Sequence, residues 1–137
     1  AVATSAEVQA LVERMGSEMK PGQIIAWKPL VRAGASIAAI EYWTAPGKPA
    51  SHPTDAEYVI VIAGSGTLIS GGVIVDAHVT NPHLTEGSRI EGATTQPIKA
   101  GDVLMIGAGV PHYFGVDGGK LALLGIKLPL PSTTPTP

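Results

Sequence analysis

Hydrophobic and polar positions follow a helical period at the start of the chain. Thr4 and Glu7 have the spacing of a capping box, and residues 20–22 read Lys-Pro-Gly, which is a stop signal. We predict one amphipathic helix over residues 4–19 that packs on a β-structure or on a second subunit. A membrane-surface helix fits less well, because the polar side is mainly acidic. The apolar positions at helical spacing are Val8, Leu11, Val12, Met15 and Met19.

From Gln23 onward the pattern changes to short apolar runs separated by turn residues, which predicts eight or nine strands. Glycine-rich connections at 64–66, 71–72 and 117–119 are typical of compact hairpins, so antiparallel pairing is expected. Residues 76–93 form a polar excursion that we interpret as a rim loop. The predicted strands are 24–30, 36–44, 57–63, 67–70, 73–75, 96–98, 103–106, 112–116 and 121–128.

Composition supports an all-β fold. The 137 residues include 17 glycines and 12 prolines, more than a helical bundle tolerates. Short strands in a chain of this length fit a single β-barrel or a double-stranded jelly roll with one N-terminal helix. We predict a helical segment at 1–22, a barrel domain at 23–128 and a Pro/Thr-rich tail at 129–137.

Charge and residue usage narrow the function classes. A net charge of −2 argues against nucleic-acid binding, and no apolar run approaches the roughly 20 residues of a membrane-spanning helix. The absence of cysteine excludes disulfides and thiolate metal sites. The chain begins Ala-Val-Ala, which suits a mature exported protein, so we expect a periplasmic or secreted location, with the cytoplasm as the alternative.

Two segments carry the candidate chemistry and resemble the two motifs of the cupin superfamily. The resemblance covers about residues 23–127. The sequence departs from the family pattern at Ala50, where the first motif has another histidine, at Gly107 in place of a proline, and at Val116 in place of an asparagine. The matching residues are His52, Glu57 and Gly64 in the first motif and Gly101, Gly109 and His112 in the second.

The resemblance implies a site for one divalent transition metal (Fe, Mn, Ni, Zn or Cu) held by His52, Glu57 and His112. Two imidazoles and one carboxylate leave coordination positions open for a substrate or dioxygen. Glu57 shares its strand face with Val59 and Val61, which favours an inward-facing carboxylate. The alternatives are histidines with a purely structural role and a buried Glu57 paired with a lysine or arginine.

Three further residues are weaker candidates. His78 and His83 lie on the polar excursion, where either could supply a fourth ligand, although solvated loop histidines are commoner. Asp55 is a candidate catalytic residue beside Glu57, as a proton acceptor or as a support for a ligand, with turn capping as the default.

Two functions follow from these residues. The first is a divalent-metal-dependent enzyme of lyase, isomerase or dioxygenase type acting on a small organic molecule, with Glu57 and Asp55 in catalytic roles. The alternative is a metal-free barrel that binds a small molecule without catalysis. A storage role has no support in so short a chain. Under each function we expect a homodimer, a small-molecule ligand, and neither a nucleic-acid partner nor a membrane span.

Overall fold

The computed structural model describes residues 1–131, which form one helix and eleven strands. The helix is α1 (Ser5–Glu18), and Thr4 caps it through the predicted capping box with Glu7. The strands are β1 (Ile25–Ala33), β2 (Ser36–Trp43), β3 (Ala50–Ser51), β4 (Asp55–Ser70), β5 (Val73–Val75), β6 (His78–Asn81), β7 (Leu84–Glu86), β8 (Arg89–Glu91), β9 (Thr94–Lys99), β10 (Val103–Ile106) and β11 (His112–Pro129).

All strand pairs are antiparallel, as predicted. Nine strands form one sheet in which β1, β2, β11, β3, β7 and β6 follow one another, while β4 pairs with β9, β10 and β11. The other two strands, β5 and β8, pair separately. Within residues 1–131 the hydrogen-bonded ladder does not close on itself, so the architecture is a double-stranded jelly roll rather than a fully closed barrel. This confirms the predicted all-β fold with one N-terminal helix.

Alternation along β11 separates two hydrophobic clusters. Leu121 and Leu123 point to an inner core, whereas Ala122 and Leu124 point to the outer face that α1 covers. Met15 of α1 is 1% exposed in this outer cluster, so the helix packs on its own chain. Burying such a side chain stabilises the fold by about 1.5–3 kcal/mol. The inner core comprises Val59, Val61, Ile98, Ile106, Phe114, Leu121 and Leu123.

The three predicted glycine hairpins are wrong. Residues 64–66 lie inside the continuous strand β4, and residues 117–119 lie inside β11, where the register shifts between Asp117 and Leu121. Gly64 has φ +77°, so it bends the strand without ending it. Residues 71–72 do connect two strands through a bend, but these strands, β4 and β5, do not pair with each other, because β5 pairs with β8.

The polar excursion at 76–93, predicted as a rim loop, contains regular secondary structure. It contains β6, β7 and β8, and β7 joins the main sheet through β3. The strand β11 extends to Pro129, one residue past the predicted end of the barrel. Most of the predicted tail, residues 132–137, lies outside the described residues. No helix within residues 1–131 combines the length and the apolar character needed to cross a membrane.

Candidate metal centre

The two motif histidines are brought together by neighbouring strand ends. His52 follows β3, where its carbonyl accepts a hydrogen bond from the Gly109 amide at 2.9 Å. His112 begins β11 and pairs with Ala50 of β3 and Ser70 of β4. Their ring centroids are 5.4 Å apart. A backbone contact between the two sequence motifs thus places the imidazoles side by side.

Hydrogen bonds to backbone carbonyls orient both rings. His112 Nδ1 lies 2.9 Å from Val110 O, and His52 Nδ1 lies 3.3 Å from His83 O. Because a carbonyl oxygen only accepts, Nδ1 carries the proton in each ring. In the neutral rings the Nε2 atoms are therefore lone-pair donors, free to bind a metal ion.

Both Nε2 atoms converge on one carboxylate oxygen. Glu57 Oε1 lies 2.8 Å from His52 Nε2 and 3.6 Å from His112 Nε2, and one ligand atom from each residue lies within 4.8 Å of the others. Three acceptors this close repel one another unless a proton or a cation lies among them. The donor set is thus chemically suited to a divalent transition metal.

Lys127 also contacts Glu57. Its Nζ donates a hydrogen bond to Oε1 at 2.6 Å, across the register pair that β4 and β11 form at these positions. Burial disfavours the ionised carboxylate, but the hydrogen bonds that the imidazolium forms of His112 and His52 donate through Nε2, together with the ammonium of Lys127, outweigh that cost. The pKa of Glu57 therefore lies well below its ordinary value. The lysine pairing considered from the sequence is thus present beside the histidine cluster.

Glu41 is a site residue that the sequence analysis missed. It lies on the inner face of β2, and its Oε2 accepts a hydrogen bond from Trp43 Nε1 at 3.1 Å. Burial, followed by repulsion from Glu57, raises the pKa of Glu41. The signal was available, because Glu41 alternates with Ile40 and Tyr42 as Glu57 alternates with its neighbours.

Two cavities meet at these charged residues. The cavity next to the two histidines, called the near cavity below, has a volume of about 350 Å³ and contains His52 and His112 in its wall. The second cavity, whose wall does not include the histidines, is called the far cavity. It has a volume of about 310 Å³, and small residues such as Ala39 and Gly125 contribute to its wall. Glu41, Glu57 and Lys127 line both. A small organic molecule therefore has space on either side of the Glu57 carboxylate.

The other predicted candidates lie outside the convergent group. Asp55 accepts a hydrogen bond from Thr54 Oγ1 at 2.8 Å, and its catalytic role stays a prediction. His83 Nδ1 contacts the same hydroxyl at 2.7 Å, and the backbone oxygen of His83 orients His52. His78 is exposed on β6. In the described part of the chain, the group of converging ligand atoms includes neither His78 nor His83.

Comparisons with solved structures identify the fold. No protein-family model matches the sequence, and a search of curated proteins finds no match. The DMSP lyase DddQ from Ruegeria pomeroyi superposes with a TM-score of 0.60 at 16% identity, covering 98% of this chain and 68% of that one.

Two further structures agree. A predicted oxalate decarboxylase from Thermotoga maritima gives a TM-score of 0.55 at 18% identity, covering 77% of this chain and 81% of that one. A cupin superfamily protein from Desulfitobacterium hafniense gives 0.53 at 15% identity, with coverage of 82% and 84%. Likeness at this level of identity establishes architecture and leaves the chemistry to the site. The chain therefore has the double-stranded β-helix fold of the cupin superfamily.

Proposed function

We propose that the protein is a divalent-metal-dependent enzyme acting on a small organic molecule, with His52, Glu57 and His112 as the metal ligands. One observation carries the proposal: two imidazoles with fixed Nδ1 protons turn their Nε2 atoms toward one carboxylate oxygen at the wall of a cavity. Structural histidines have no need to converge in this way, because each ring is already anchored through Nδ1.

The protein groups around this centre have distinct roles. A divalent ion held there would act as a Lewis acid toward an oxygen atom of the substrate. Glu41 lines the same cavity as the ligands, and its raised pKa makes it the carboxyl group best suited to give or accept a proton. Trp43 and Phe114 form an apolar part of the near-cavity wall, which limits access of water to the substrate.

Two of the similar structures are named as enzymes, which supports an enzymatic function for this protein. One is a DMSP lyase and the other a predicted oxalate decarboxylase. Reactions of lyase, isomerase or dioxygenase type all fit the proposed donor set, which leaves coordination positions open. DMSP and oxalate are therefore the first substrates to assay with the metal-loaded protein.

The deciding measurement is elemental analysis of protein purified without a histidine tag. We expect close to one transition-metal ion per chain in the wild type, and its loss in the double variant His52→Ala/His112→Ala. His78→Ala removes an exposed histidine outside the convergent group, so this control variant should keep the metal. A wild type that binds none of Fe, Mn, Ni, Zn or Cu after incubation with each would contradict the proposal.

A metal-free binding protein is the second candidate function. The observation that favours it is the hydrogen-bonded ion pair between Lys127 and Glu57, which balances the buried carboxylate without a metal. The two cavities would then hold a small molecule that undergoes no reaction. Failure of the wild type to bind any of these metals, combined with saturable binding of a small molecule, would support this function.

A further inference from the structure

Lys127 competes for the oxygen atom that the proposed metal ion requires. The β4–β11 register places Lys127 opposite Glu57 on the same face of the sheet. Its Nζ contacts Glu57 Oε1, which is also the oxygen toward which His52 Nε2 and His112 Nε2 converge. The position of the ammonium group follows from strand pairing as well as from the conformation of one side chain.

Two cations on one carboxylate oxygen repel each other. An ammonium and a divalent ion both bound to Oε1 would lie within a few ångströms of one another, in a partly buried site that water screens weakly. The Lys127 side chain is 47% exposed and lines both cavities, so its ammonium can leave Glu57 and remain in contact with solvent. The carboxylate therefore has two alternative positive partners.

We infer that Lys127 is a built-in competitor that neutralises Glu57 in the metal-free protein and leaves Oε1 when a divalent ion binds. This inference rests on the proposed metal site and adds a residue that sets its affinity. The ion pair between Lys127 and Glu57 stabilises the metal-free protein. Because a metal ion must break this ion pair, the net free energy of metal binding is less favourable by the energy of the pair. Lys127 thereby weakens metal binding while protecting the fold from an unpaired buried charge.

The near cavity offers a matched control for this inference. Lys48 lines the same cavity, but its Nζ lies 4.0 Å from Glu86, and its side chain is 55% exposed. Lys48→Met and Lys127→Met remove the same charge from the same cavity wall. Only Lys127→Met also removes a cation from Glu57 Oε1. Lys127→Arg keeps a cation at that position.

The test is titration calorimetry of the EDTA-treated, dialysed proteins with Co²⁺ and with Zn²⁺. We expect Lys127→Met to bind each ion roughly tenfold more tightly than the wild type, as for loss of one competing charge contact. Lys48→Met should change affinity by less than about threefold, as for a solvent-exposed charge. Lys127→Arg should show no gain. Without metal, Lys127→Met should melt at a lower temperature than the wild type.

Each other outcome has a defined meaning. Equal affinities of the wild type and Lys127→Met would overturn the inference and leave the metal site in place. An equal gain in Lys48→Met would also overturn it, because the effect would then be one of general charge. Failure of every protein to bind either ion would overturn the metal site, and the inference with it. Lys127→Gln, which can still donate a hydrogen bond to Glu57, carries the same test if Lys127→Met does not fold.

Discussion

At the scale of single residues, Glu41 and Glu57 are two carboxyl groups in one interior with opposite environments. Glu57 is surrounded by His52, His112 and Lys127, and the imidazolium forms of the two histidines and the ammonium of Lys127 favour its charged form. Because its pKa is lower in the folded chain than in the unfolded chain, Glu57 stabilises the fold at pH values above the ordinary carboxyl pKa. This stabilisation is lost progressively as the pH falls from the ordinary carboxyl pKa towards the lower pKa of the folded chain. Glu41 is buried beside the negative charge of Glu57, so its environment favours the neutral form.

Replacing Glu41 with glutamine should therefore stabilise the protein in a pH-dependent way. Near pH 3, below the carboxyl pKa of both states, Glu41 is mainly protonated in the folded and the unfolded chain, so Glu41→Gln should leave the melting temperature almost unchanged. As the pH rises above the unfolded pKa of about 4.3, ionisation favours the unfolded chain, and the variant should become more stable than the wild type. Thermal melts between pH 3 and pH 8 measure the difference.

A matched control separates burial from charge. Glu13 is exposed on α1, so Glu13→Gln makes the same chemical change without affecting the interior. Its effect on the melting temperature should stay small across the range, as for most surface substitutions. A stabilising effect of Glu41→Gln that is largest at pH 3 would contradict the expected sign.

How far the sequence predicts this site depends on the residue. His52, Glu57 and His112 could be found because they lie in recognisable motifs, and strand alternation correctly indicated an inward Glu57. The same alternation indicates Glu41, but no motif drew attention to it. Lys127 could not be placed, because its contact with Glu57 depends on the register between strands 70 residues apart. Periodicity within one strand indicates the face on which Lys127 lies, but not which residue of a distant strand lies opposite it.

At the scale of elements, β4 and β11 run through glycines where the sequence predicts turns. Glycine at a bend and glycine at a hairpin have the same local sequence signature, since both supply a positive φ. Only pairing with the partner strand distinguishes them. At Gly64 a side chain would also collide with the backbone oxygen of Lys120, because the two long strands approach closely there.

Gly64 and Gly118 provide a test of that close approach. Both have positive φ, at +77° and +63°, but a Cβ at Gly118 would meet no atom within 4 Å. Gly118→Ala should lower the free energy of unfolding by about 1 kcal/mol, the cost of the backbone conformation. Gly64→Ala should lower it by about 2–4 kcal/mol, because the collision adds to that cost. Urea unfolding measures both, and equal losses would show that the approach of Lys120 costs nothing.

At the scale of the whole molecule, the helix covers one outer surface and leaves another exposed. The apolar side of α1 is buried against its own sheet, so that side is not available to a second subunit. On β10, which pairs with β4 alone among the described strands, Val103 and Met105 are each 58% exposed and face outward. The expected homodimer would therefore use an outer sheet surface such as this one.

Solution mass tests the dimer directly. Light scattering should give twice the mass of one 14.0 kDa chain for the wild type, and the mass of one chain for Met105→Lys. Val73→Lys places the same charge on the separate β5–β8 ribbon, where Val73 is 69% exposed, and should leave the dimer intact. A wild type with the mass of one chain would contradict the expected dimer, and a dimeric Met105→Lys would contradict the β10 surface.

The two tryptophans of the chain lie in different cavities, which gives the protein its own optical readout. Trp43 lines the near cavity and donates a hydrogen bond from its indole N–H to Glu41, whereas Trp27 lines the far cavity and is 53% exposed. A paramagnetic ion such as Co²⁺ at the histidine cluster should quench Trp43 emission more strongly than Trp27 emission. A molecule that enters the far cavity should shift Trp27 emission to shorter wavelength. Single Trp→Phe variants would thus report the filling of each cavity separately, without an added label.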